Sequence, residues 1–286
     1  MKHKDFYTVK KELVDISLNV KDFNTEGSIL DLTTGQYLYA GYYKPFVQMF
    51  LEFSQPDTSA ALIVPQYYNG SAWVNLSVID ETYSFKKSGF IYFQRPTDWA
   101  EVMVGVDKQF FIRFEVTSED LNPLTKLQGL NVLFSNDVDL EAVRSNIVSK
   151  HNSGASWVAK HEEARKMIIQ RLRNNGKRKV KVTKENQNLV FAYDNVETLY
   201  YSNLTQFDFF EPFELREASK YYALSMVYLD ELNDEVDDKW QAAGERHLKR
   251  AEEAVDVFML RIDSDDDGEE DKEENESSPE IRLSWS

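Results

Sequence analysis

Apolar positions change their spacing along the chain, and the changes divide it. Over residues 1 to about 22, Phe6, Val9, Leu13 and Ile16 stand at three- and four-residue steps, which predicts a short helix. From Ser28 to about Ser135 the apolar runs are short and rich in β-branched and aromatic residues. They cover 37–39, 46–53, 60–64, 72–76, 89–93, 110–116 and 129–134. Turn formers such as Gly35, Pro56-Asp57, Asn69-Gly70 and Asn122-Pro123 separate them. Seven or eight short strands at this spacing predict an antiparallel β-sandwich.

Near Asp137 to Glu141 the period returns to 3.6. Trp157, His161, Ala164, Ile168 and Leu172 form one stripe, stopped by Asn174-Asn175-Gly176. Glu211-Pro212 opens a second helix with Leu215, Ala218, Tyr222, Met226 and Leu229 on one face. Asn233 and Asp234 break it and cap a third, whose stripe is Val236, Trp240, Ala243, His247, Ala251, Ala254 and Phe258. Two amphipathic helices on a tight connection pack antiparallel, and this hairpin anchors the second half of the chain. The reading is an α+β multidomain protein. It has an N-terminal helix and β-sandwich over 1–138, a helical bundle over 139–262, and an acidic linker with an extended arm over 263–286.

Composition narrows the chemistry. An apolar content of 42% with abundant aromatics argues for folded material, and the formal charge of -16 argues against general nucleic-acid binding. With no cysteine, neither a disulfide framework nor a thiolate zinc site can form. The N-terminus lacks the apolar core of a signal peptide, and no run reaches membrane-span length. The residues 165–184 hold nine basic side chains and no acidic one. They read either as favourable charge at a helix C-terminus with a solvated loop, or as a basic loop facing DNA or a partner. The loop residues are Arg171, Arg173, Lys177, Arg178, Lys179 and Lys181.

No catalytic signature emerges. His3, His151, His161 and His247 are scattered, and Arg165 stands where a helical zinc motif needs a second histidine. There is no glycine-rich phosphate loop and no Gly-x-Ser-x-Gly elbow, so the expectation is a protein without enzymatic activity. The run from Asp263 to Glu274 fits the D-x-D-x-D-G-x₅-E pattern of a Ca²⁺ loop. Asp263, Asp265, Asp267, Glu269, Asp271 and Glu274 are its candidate ligands for Ca²⁺ or Mg²⁺. Glu270 replaces the usual aliphatic residue, and a solvated acidic linker is the competing reading. Trp73, Trp99 and Tyr92 could offer a sugar-stacking platform, or simply pack the core. The end of the chain, Ile281, Arg282, Leu283, Ser284 and Trp285, alternates as a strand added to a partner's sheet edge does.

Certain stretches resemble a known family. Phe213-Glu214-Leu215-Arg216-Glu217-Ala218-Ser219-Lys220-Tyr221-Tyr222-Ala223-Leu224, then Asp237-Asp238-Lys239-Trp240, the Asp-Ser-Asp-Asp-Asp-Gly run and the Ile-Arg-Leu ending are similar to head-to-tail adaptor (connector, or neck) proteins of tailed bacteriophages. Asp80-Glu81-Thr82, Ser88-Gly89-Phe90-Ile91 and Trp99 resemble an accessory β-sandwich fused to such proteins. The resemblance implies a virion protein made in the host cytoplasm, forming a commonly dodecameric ring beneath the portal protein. It implies a passage for double-stranded DNA without sequence-specific contact, and a platform for the next neck or tail protein. Ile281 to Trp285 become the arm that reaches the portal, and the β domain projects outward, touching the capsid or decorating the neck. Apart from the candidate Ca²⁺ or Mg²⁺ loop, the expectation is no cofactor and no membrane partner.

Overall fold

The computed structural model describes residues 6–145, 147, 156–176, 181–185, 188–192, 206–207, 212–231 and 238–256. The protein is mixed α+β, with antiparallel sheets followed by helices. It divides into two compact units, Met1–Leu133 and Phe134–Ser286. The division precedes the change of period at Asp137, because Ser135 and Asn136 already belong to the hydrogen bonding of the second unit.

The first unit carries two sheets. One has the order β2-β1-β4-β11-β6-β7, with β10 also on β11, where β1 is Thr8–Lys11, β2 Val14–Asp15, β4 Tyr37–Tyr42, β6 Leu62–Tyr68, β7 Trp73–Asn75, β10 Val102–Val104 and β11 Asp107–Thr117. The other runs β3-β12-β5-β9-β8, with β3 Ser28–Ile29, β5 Gln48–Gln55, β8 Val78–Asp80, β9 Gly89–Phe93 and β12 Lys126–Asn131. The expected N-terminal helix is corrected: residues 8–11 are a strand paired with β4, and the helix shrinks to α1, Ser17–Val20. Thr8 and Val9 favour the extended chain. Leu13, counted in the helical stripe, is 69% exposed on a hairpin turn.

Strand β11 shows how the alternation works. Ile112, Phe114 and Val116 are buried on one face, while Arg113 and Glu115 on the other are only partly covered. Phe111 lies on that second face yet is fully buried. Its ring covers Gly41 so closely that a Cβ there would fall 2.3 Å from it. With Tyr39 and Val104 it makes a small apolar cluster of its own.

The turn after β8 carries strain. Tyr83, Ser84 and Phe85 have φ of 53°, 60° and 67°, three successive non-glycine residues in the left-handed region. Each costs roughly 1–2 kcal/mol through crowding of Cβ. The Asp80 carboxylate offsets this by accepting from the Thr82 N–H and hydroxyl and from the Ser84 N–H. Phe85, 1% exposed, meets Phe53 of one sheet and Phe114 of the other with ring centroids 5.2 and 5.8 Å away. Beside it the Lys86 ammonium lies 2.5 Å from Asp57 Oδ2.

The second unit is built on helices α2 (Asp137–Val143), α3 (Val158–Gly176), α4 (Arg216–Met226) and α5 (Asp238–Asp256), with a hairpin of β13 (Lys181–Glu185) and β14 (Asn188–Ala192). Asn136 and Asp139 form a reciprocal capping box that starts α2. A 3₁₀ turn, Pro212–Leu215, leads into α4, and a π turn, Val227–Glu231, follows it. Helix α4 is the hub, packing against α2, α3 and α5. Its small residues Ala218, Ser219 and Ala223 are buried beside Tyr222. The expected α3 stripe is the buried face, from Trp157 through Leu172.

Candidate functional site

The polar chemistry of the second unit gathers in two places. The first is a buried clasp. Ser135 Oγ is 2.8 Å from Nδ1 of His161 and 2.7 Å from the Ser219 hydroxyl, and Nε2 of His161 is 3.2 Å from Asp137 Oδ1. Asp137 also accepts the backbone N–H of Trp157 at 3.1 Å. Ser135 and Ser219 are fully buried and His161 is 1% exposed. Seryl, imidazole and carboxylate groups in contact resemble a nucleophilic triad in composition. Here, however, the serine lies on Nδ1, and its hydroxyl is committed to His161 and Ser219 beyond the reach of a substrate. The cluster instead fastens the start of α2 to α3 and α4. Arg216 adds a second tie, its Nε 2.7 Å from Asp139 Oδ1.

The second place is a ladder of rings along the seam of α4 and α5. Trp240 stacks on Tyr228 at 5.5 Å, Tyr228 on His247 at 5.4 Å, and His247 on Tyr221 at 5.6 Å. Tyr221 and Tyr228 are two turns apart on one strand of the hairpin, as are Trp240 and His247 on the other, so antiparallel packing interleaves them. Cations flank the ladder. The Arg144 guanidinium lies 4.8 Å from the Trp240 ring and 5.5 Å from Tyr228, and Arg250 lies 5.6 Å from Tyr221. Lys220 is 5.2 Å from Tyr221 and pairs with Glu217. Burial holds the His247 imidazole below its ordinary pKa, and Arg250, Arg246 and Arg144 push it the same way. Among the described residues its buried Nδ1 has no hydrogen-bond partner.

The structure distributes the expected site residues unevenly. Arg171 is a tie between helices: its guanidinium grips Asp256 at 2.8 and 3.0 Å and Glu252 at 3.0 Å, and the Asp256 hydrogen bond raises its pKa further. Arg173 lies in the last turn of α3, and Lys181 opens β13. Lys177, Arg178 and Lys179 lie outside the described residues, as do Asp263, Asp265, Asp267, Glu269, Asp271 and Glu274, and Ile281, Arg282, Leu283, Ser284 and Trp285. Among the described residues no group of three metal-ligating side chains converges, and no helix is long and apolar enough to cross a membrane.

Of the three rings considered as a sugar platform, Trp99 is 8% exposed and packed edge-on against Phe46, Phe93 and Phe110. It offers no open face. Tyr92 stacks on Phe90. Trp73 is partly exposed on the outer side of the seven-stranded sheet, where the Arg113 guanidinium sits between it and Tyr37 at 4.5 and 4.2 Å. Gln66 joins Arg113 to Glu115 and Asn75, which completes a closed polar network on that face.

Sequence reasoning missed the ring ladder and its arginines. The repeat of aromatic residues at seven-residue spacing on both helices was the available signal. Neither protein-family models nor curated protein sequences match the chain.

Proposed function

We propose that this protein is a structural component of a virion, a head-to-tail adaptor that docks as a ring on the portal protein. In this reading it extends the DNA channel and offers a platform for the next neck or tail protein. The first unit is then a β-sandwich closed by Phe85 and Trp99, and the second a helical bundle. Residues 281–285 form an arm that adds a strand to the portal.

One observation carries the reading. The stretch that bears the family resemblance, Phe213 to Leu224, supplies the hub helix on which the other helices of its unit pack. Its polar groups hold helices together: buried Ser219 in the clasp, half-buried Arg216 on Asp139. Such a rigid unit suits a part that works by fitting between larger neighbours. A ring closes by head-to-tail contacts and requires two different complementary faces on each copy. An arm that pairs only when a partner edge is present supplies a further, switchable contact.

Deletion of residues 277–286 tests this. The truncated chain should keep the amide protection of both units yet fail to co-sediment with the portal ring. Undiminished portal docking and normal particle assembly by the truncation would contradict the arm.

A further inference from the structure

In a chain of net charge -16, three guanidiniums on one face of the helical hairpin have no carboxylate partner among the described residues. Arg144 rests on Trp240 and Tyr228, Arg250 on Tyr221, and Arg246 donates to the Ala242 carbonyl. All three are exposed, and all three act on the same imidazole, that of His247. Elsewhere in this unit the cations find carboxylates: Arg171, Arg216, Lys166 and Lys220 are paired. Rings hold the guanidiniums of Arg144 and Arg250 in place, which lowers the entropy a ligand must remove to bind them. The face suits a polyanion.

We infer that this occupant is the acidic stretch of the same chain, residues 263–276. It holds ten carboxylates in fourteen positions. The described part of helix α5 reaches Asp256, six residues before that stretch begins. Six residues span at most about 20 Å. Along the helix, Arg250 lies only about 9 Å and Arg246 about 15 Å back from Asp256, at 1.5 Å per residue. The stretch therefore reaches the arginines by running back along α5. Tethering gives it an effective concentration on the order of millimolar, which favours it over free polyanions. Guanidinium and carboxylate pair in bidentate fashion, and several exposed pairs together give a salt-sensitive contact. The contact is independent of whether the protein forms a ring.

The chain contains no cysteine, so two can be introduced cleanly for energy transfer. The full-length protein carrying Gln241→Cys and Gly268→Cys, labelled with donor and acceptor, should show efficient transfer at low salt that falls as salt is raised. Combined Arg144→Gln, Arg246→Gln and Arg250→Gln should remove most of the transfer. So should combined Asp265→Asn, Asp266→Asn and Asp267→Asn, a change that leaves the helices untouched. Transfer unchanged by both sets would overturn the assignment. Transfer that disappears on dilution with unlabelled chain would place the stretch on a neighbouring copy and overturn it equally.

Discussion

Nδ1 of His161 and Oγ of Ser135 lie 2.8 Å apart across 26 residues of chain, and the same hydroxyl reaches Ser219 at 2.7 Å. Three segments distant in sequence thus share one buried oxygen. Ser135→Ala strands both partners in the interior, and an unsatisfied buried polar group costs about 1–3 kcal/mol. Hydrogen exchange of 216–226 should quicken correspondingly. Unchanged protection there would remove the clasp from the account.

At Gly244 helix α5 comes close to the other half of the hairpin. A Cβ at this position would lie 2.6 Å from Leu229 Cγ. Alanine gains about 1 kcal/mol of helix propensity, but overpacking costs about 1–3 kcal/mol. Gly244→Ala should therefore lower the stability of α5 by hydrogen exchange. Adding Leu229→Ala should restore part of the loss, because the second change removes the clashing atoms. Equal and additive losses would mean that the two residues do not meet.

Asp57 gives the first unit a pH dependence. Burial alone would raise its carboxyl pKa, but hydrogen bonds from Lys86, the Asn122 N–H and Ser59 outweigh it and hold the value below 3.8. A carboxyl depressed in the folded state contributes stability above its unfolded pKa and loses it as pH falls through the folded one. The first unit should therefore lose stability as pH drops below 3.8, and Lys86→Met should shrink that loss. A pH profile identical in the variant would show that Lys86 is not the cause.

In the second unit the window lies higher. The lowered pKa of His247 means that the unfolded chain takes up a proton first as pH falls below 6.5. Its stacking partners are the rings of Tyr221 on α4 and Tyr228 in the π turn that follows, with Arg250, Arg246 and Arg144 supplying the charge. The hairpin should weaken below that pH, and His247→Phe, which keeps the stack, should flatten the dependence. Persistence of the same acid-side loss in His247→Phe would assign it elsewhere.

Phe85 sits in the left-handed turn and fills the space between Phe53 and Phe114. Phe85→Ala should cost about 3–5 kcal/mol and also release the turn, since burial of the ring is what repays its backbone strain. Faster exchange confined to 80–90, with the rest of the unit unaffected, would contradict a core role.

How far the sequence could be read depended on the length and spacing of each element. Strands β4, β5, β9 and β11 were legible because their apolar runs are rich in β-branched and aromatic residues and stand apart from the turn formers between them. Strands β3, β8 and β10 have two or three residues each, too few for any period to register. The N-terminal helix was misread because Phe6, Val9, Leu13 and Ile16 matched a helical spacing by coincidence, while pairing of 8–11 with β4 decided the backbone. Helix α3 followed its stripe closely; on α5 Ala243 and Ala251 are buried and Trp240, His247 and Ala254 half-buried, while Val236 and Phe258 lie outside the described residues. The clasp was not legible, since nothing local connects Ser135 to a serine 84 residues later. Arg171 was read for its charge, but its carboxylate partners lie on α5 and only the fold brings them together.

We propose that this protein works by assembling between larger parts of a virus. Negative-stain imaging of the purified full-length chain, alone and mixed with the portal of its virus, tests it most directly. The account predicts rings, either free or formed on the portal face, with a continuous axial channel. A chain that stays monomeric and leaves the portal bare under all conditions would contradict it.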